Sequence, residues 1–159
     1  MNPIPEPSTT HPQLEALRAR NHPRCIVCGP ENPLGLGLNF TLGEGGTVEA
    51  SFPGGRIFEG YPGQLHGGVI AALLDGAMTN CLFAHGHRAV TAELNIRYRH
   101  PVQALAAVTV RAWIESTYPP LYLVQAELHQ SGGVRATATA KFMECAMPMT
   151  NSAQAVANR

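Results

Sequence analysis

The spacing of apolar residues changes period along this chain, and each change marks an element. Over 12–21, Leu14 and Leu17 share one side, which predicts a short amphipathic helix. The cysteine-bearing stretch 25–37 is rich in Gly, Pro and Asn and reads as loop. From Gly37 the period becomes two. Leu38, Phe40 and Leu42 alternate with Asn39 and Thr41, Gly43–Gly46 turns, and Thr47–Phe52 returns, so a hairpin is expected. The loop 53–64 carries four glycines and two prolines. From about Gly67 to Phe83 the chain is apolar nearly all round, as in a buried helix. Four strands follow, over 89–98, 106–117, 121–129 and 134–145, with breaks at Pro101, at Pro119-Pro120 and at the turn 130–133.

A hairpin, one long buried helix and a run of antiparallel strands argue for an α+β fold rather than a wound parallel sheet. A helix apolar on most faces needs cover on most faces. A strongly curved antiparallel sheet wrapped around it supplies that cover. The expected organisation is a flexible segment with a short helix over 1–21, one domain over 22–145 and a flexible tail over 146–159.

Composition narrows the class. The chain has 159 residues, enough for one self-sufficient core. Its formal net charge is zero, so no electrostatic nucleic-acid binder is expected. No apolar run is expected to reach the length of a membrane span, and the start is polar and Pro-rich, unlike a signal peptide. Four cysteines in a chain of this size do not make a disulfide framework. The base expectation is a soluble cytoplasmic protein with no membrane and no nucleic-acid partner.

The chemistry concentrates in His66-Gly67-Gly68 and Asp75. An acid inside an apolar helix is costly unless it is paired, hydrogen-bonded or used. Gly67 and Gly68 leave backbone N–H groups bare at a helix start, where the dipole favours developing negative charge. One segment thus supplies a candidate catalytic carboxylate and a candidate oxyanion hole. The plainer reading of Asp75 is a structural acid, and of His66 a helix cap; the sharper one gives His66 the ordering of the oxyanion turn. Nine residues from His66 to Asp75 advance about 13.5 Å and turn about 900°, half a turn out of phase. The free N–H groups of one chain therefore miss their own Asp75, whereas a second chain can bring its Gly67 to it. The site is expected at a twofold interface.

Cys25 and Cys28, with His22 upstream, look like half of a zinc site. A structural site wants four ligands, and neither Cys81 nor Cys145 is placed to complete it. No metal is expected, and loop packing is the assigned role. Arg97, Arg99 and His100 form a basic strand end, with His85, His87 and Arg88 a weaker group. Their plain role is a solvated edge.

The run Gly60-Tyr61-Pro62-Gly63-Gln64-Leu65-His66-Gly67-Gly68, Asp75 nine positions after His66, and the strand Val90 to Pro101 together resemble the hotdog-fold thioesterases, in particular the phenylacetate-pathway-type (PaaI-like) acyl-CoA thioesterases. Cys25-Ile26-Val27-Cys28-Gly29 with Asn32-Pro33-Leu34-Gly35-Leu36 is similar to an N-terminal signature of one branch. The resemblance covers roughly 22–145. It implies a curved sheet around one central helix and hydrolysis of acyl-CoA without a cofactor, in a dimer or dimer of dimers. It implies Asp75 as general base or nucleophile, the Gly67 N–H as oxyanion donor, and Thr91 as the hydroxyl that places the water or the carboxylate. An amide often stands six before the histidine, where this chain has Gly60; Gln64 takes that role instead. Gly68, Ala72 and Thr79 leave room for an acyl chain or pantetheine arm, and Arg97 and Arg99 suit the phosphates of coenzyme A. Two other readings stay open: a non-catalytic acyl-CoA-binding protein, and a dehydratase or hydratase on the same fold.

Overall fold

The computed structural model describes residues 12–146. The ends expected to be loose, 1–11 and the tail beyond Ala146, lie outside the described residues. Helix α1 (Pro12–Asn21) leads into an irregular loop. Strands β1 (Thr41–Leu42) and β2 (Val48–Phe52) form the hairpin, and helix α2 (Gly67–Ala84) follows. Strands β3 (Ala89–Tyr98), β4 (Val108–Tyr118), β5 (Leu121–Gln130) and β6 (Gly133–Glu144) complete the fold. All neighbouring strands are antiparallel, in the order β1-β2-β4-β5-β6-β3. The α+β architecture expected from the pattern is present, with one long helix against one sheet.

Helix α2 touches β2 through β6, and α1 packs on it as well. Its core-facing residues Leu73, Leu74, Ala77, Met78 and Cys81 are fully buried. A row of small residues, Ala112, Ala126 and Ala138, runs across β4, β5 and β6 in register and is buried. Larger side chains, Phe52, Tyr122, Leu128 and Phe142, fill the core around it. By length and composition α2 does reach a membrane span, with mean hydropathy 1.4, which corrects the expectation of no such run. Its apolar surface is met by sheet and α1 instead, and 67% of that stretch is buried within the protein.

The expected first strand of the hairpin, from Gly37, shrinks to Thr41–Leu42. Leu38 and Phe40 are buried as their alternation required. Their stretch takes other backbone partners: Leu36 N–H donates to Ile26 O at 2.6 Å and Leu38 N–H to Val27 O at 2.9 Å. The cysteine loop therefore takes the place of a strand. The β5–β6 turn is tight, with Ser131 and Gly132 both at positive φ (53° and 75°), as a two-residue hairpin turn requires.

Candidate active site

The approach to α2 is held from several sides. Leu65 N–H donates to Val102 O at 2.8 Å, Ala104 N–H to Gly63 O at 2.9 Å and His66 N–H to Phe58 O at 2.8 Å. The 102–106 segment is itself pinned by the buried amide of Gln130, which accepts from Gln103 N–H and donates to Gln103 O and Ala106 O. His66 then caps the helix. Its Nδ1 accepts the Gly68 N–H at 2.8 Å. That bond uses the Gly68 donor. Among the described residues the Gly67 N–H, at the first helical position, meets no acceptor. The cap and the ordering of the turn are thus one feature of His66.

Asp75 lies two turns further on. Thr91 Oγ1 donates to its Oδ1 at 2.7 Å. The register of β3 explains the contact. Thr91 opposes Phe142 and Glu93 opposes Lys141, with Ala92 bulged out between them. Simple alternation would place Thr91 and Glu93 on the same face. The bulge separates them: Thr91 turns to the helix, and Glu93 turns outward to pair with Lys141 at 2.8 Å. Burial raises the Asp75 carboxyl above the usual carboxylate range. The Thr91 hydroxyl opposes that rise, a thiolate at Cys25 adds to it, and positive charge on His22 lowers it. A carboxylate so placed is a competent proton acceptor for water.

Because α2 begins at Gly67, the donor and the acid are eight residues apart rather than nine. That is about 12 Å of rise and about 80° of rotation. The half-turn offset counted from His66 does not apply, and axial distance alone separates Gly67 from Asp75 in one chain.

The other expected site residues are spread. Gln64 is exposed, and among the described residues its side chain bonds neither Asp75 nor Thr91. Gly60 lies against His66; a Cβ there would meet its Cδ2 at 3.2 Å. Ala72 is half-buried and Thr79 buried along α2, while Arg97 and Arg99 are exposed. Two further residues, not marked by the sequence pattern, stand near the site. Tyr98 hydroxyl donates to Gly67 O at 2.9 Å, so β3 touches both the helix start and Asp75. Asn80 is fully buried, donating to Gly76 O at 2.8 Å. An Asn inside the apolar helix was its only signal.

The cysteines are free thiols. Cys25 is the acidic member of its pair: the neighbouring Cys28 thiol and His22 ring favour its thiolate and pull its pKa down to about 3. The neighbouring Cys25 and burial push Cys28 up.

Residues 62–137 match the model of the thioesterase superfamily. Over that span, just under half of the chain, the sequence is similar to that superfamily. A putative thioesterase from Ralstonia eutropha JMP134, described as phenylacetic acid degradation-related, is 28% identical with TM-score 0.68, over 82% of this chain and 98% of that one. A Bacillus halodurans protein solved with CoA is 29% identical with TM-score 0.56, over 60% of this chain and 65% of that one. Acyl-coenzyme A thioesterase THEM4 of Mus musculus is 39% identical over 64 residues, 40% of this chain and 27% of that protein. This chain therefore matches little more than a quarter of the length of that curated relative. The fold is the hotdog fold, matched by these solved structures. The matched span holds Gln64, His66, Gly67, Asp75 and Thr91, and leaves out the cysteine loop.

Proposed function

We propose that this chain hydrolyses acyl-CoA thioesters at a site completed by two copies of itself. Asp75 activates water, or attacks the thioester carbonyl directly. Thr91 orients the carboxylate. The Gly67 N–H of the second copy receives the oxyanion that develops on the carbonyl oxygen. Arg97 and Arg99 contact the coenzyme phosphates, and the small residues Gly68, Ala72 and Thr79 make room for the acyl arm.

The observation that carries this reading is the Asp75–Thr91 pair: a carboxyl raised by burial, held by one hydroxyl. The two-copy arrangement is supported by the free edge of β3. Among the described residues that strand ends the sheet, and its outer N–H and C=O groups have no strand partner. One end of β3 is tied to Asp75 through Thr91, the other to Gly67 through Tyr98. Pairing two β3 strands antiparallel about a twofold axis sets the Thr91 end of one opposite the Tyr98 end of the other. Each Asp75 then faces the second copy's Gly67. A dehydratase would pair a catalytic His with an acid, and here the His66 Nδ1 is occupied as a helix cap.

The test is thiol release from a panel of acyl-CoA esters, small aromatic to long-chain. Asp75→Asn keeps the shape and removes the base, so turnover of the preferred ester falls about 10²–10⁴-fold while binding persists. Turnover near that of the unmodified protein contradicts the assignment. Binding without turnover in the unmodified protein makes the chain an acyl-CoA-binding module.

A further inference from the structure

The loop after α1 brings three metal-ligating side chains together outside the span that matches the family. His22, Cys25 and Cys28 each offer one ligand atom, and these lie within 4.8 Å of one another. The loop is built as a turn around the sulfurs. Cys25 N–H donates to His22 O at 3.2 Å, Gly29 N–H to Cys25 O at 2.9 Å, and the Val27 N–H points at Cys25 Sγ at 3.4 Å. Gly29 is required there, because a Cβ would collide with the Cys25 backbone. The helix completes the surround. Gly76, Asn80 and Phe83, spaced as one stripe of α2, meet Val27, Cys28 and His22 in turn. Asn80 Nδ2 donates to Cys28 Sγ at 3.4 Å.

Two polar atoms in this pocket are unsatisfied. His22 Nδ1 and Asn80 Oδ1 are buried with no hydrogen-bond partner among the described residues, and Asn80 is 0% exposed. Buried polar atoms normally find a partner. Here they border two thiols that accept hydrogen bonds from an amide and a backbone N–H, the outer shell a metal thiolate needs.

We propose that His22, Cys25 and Cys28 bind a zinc-class divalent cation, with water in the fourth position. Two thiolates and an imidazole are a soft donor set, suited to zinc rather than magnesium or calcium. Tetrahedral bonds of about 2.0–2.3 Å bring such ligand atoms to about 3.5–3.8 Å from one another. Closing from the present spacing takes small side-chain adjustments and no new chain path. Binding releases the Cys28 thiol proton to solvent, Cys25 entering as the thiolate. The cation fastens the loop across α2 where Val27 packs on Gly76, the residue after Asp75. The reading from sequence gave the pair a packing role; the proposal adds a ligand role, since three ligands fall short of a closed structural site and match the count of an open one.

The full-length protein, reduced and stripped with chelator, is titrated with Co²⁺ and then Zn²⁺. One cobalt per chain is expected, with the thiolate-to-cobalt charge-transfer band and strong visible absorption of a four-coordinate site, both erased by zinc. Cys25→Ser removes the band, Cys145→Ser keeps it, and Asn80→Ala weakens cobalt binding about 10–100-fold. Cys25 is half-buried, so its serine variant is the one expected to fold if Asn80→Ala does not. The proposal is overturned by the weak absorption of fully hydrated cobalt in the unmodified protein. A charge-transfer band that survives Cys25→Ser overturns it too, as does a Cys25–Cys28 disulfide whose reduction leaves a protein without the band.

Discussion

Strands β5 and β3 are each ten residues long and lie in the same sheet with only β6 between them. β5 has a strand on both sides and buries every second residue, from Tyr122 to Gln130. β3 has a strand on one side, carries a bulge at Ala92 and leaves Val90 and Tyr98 exposed. Where β5 spends its inner face on apolar packing, β3 turns two hydroxyls, of Thr91 and Tyr98, to polar atoms of α2. The difference teaches where the molecule keeps its stability and where it keeps its chemistry. The interior strand holds the helix in place, and the edge strand addresses it.

The comparison breaks most visibly in stability. Leu128 is fully buried on β5, and Leu128→Ala is expected to cost about 2–5 kcal/mol in denaturant unfolding. Val90 is 42% exposed on β3, and Val90→Ala is expected to cost about 0.5 kcal/mol or less. Equal losses from the two strands would erase the division.

Thr91→Val sharpens it in the other direction. The loss of one hydrogen bond to a charged group lowers turnover about 10–100-fold, with little change in stability. The pH profile carries the signature. A base must be ionised to act, so the rate rises with pH through the Asp75 pKa, which burial already raises. The Thr91 hydroxyl holds that pKa down, with His22 acting the same way and Cys25 opposing. Removing the hydroxyl therefore moves the acid limb to higher pH, and part of the lost rate returns in alkali. A limb that stays in place while the rate falls denies Thr91 its effect on the carboxylate.

Much of this division was legible from the chain itself. The place of β5 follows from the breaks at Pro119-Pro120 and at the turn 130–133, and α2 from its apolar run. Asp75 stands out because a carboxylate in such a helix demands a use, and Gly67 because glycines open the helix. Thr91 was not legible from pattern: alternation places it beside Glu93, and only a bulge, which leaves no mark in apolar spacing, turns it inward. Tyr98 was masked the same way, as one more apolar residue on an alternating strand. The short β1 had a cause distant in sequence, because residues 36–38 bond to the cysteine loop ten residues earlier. The offset depended on which residue is the donor: the pattern already opens the helix at Gly67, and counting from His66 instead adds the residue that makes the half-turn.

The most direct test of the account is subunit complementation. Gly67 occupies the first helical position, where proline is well tolerated, and His66 ahead of it has ψ 136°, the extended backbone a proline requires before it. Gly67→Pro thus deletes the oxyanion N–H with little demand on the fold. Asp75→Asn deletes the base, and each variant alone is expected to be inactive. Co-expressed and isolated as a mixed dimer, one site holds both defects and the other holds neither. The account predicts that this dimer regains about half the turnover of the unmodified dimer, as twofold symmetry requires. A mixed dimer confirmed by mass that regains no turnover would contradict a site shared between two chains.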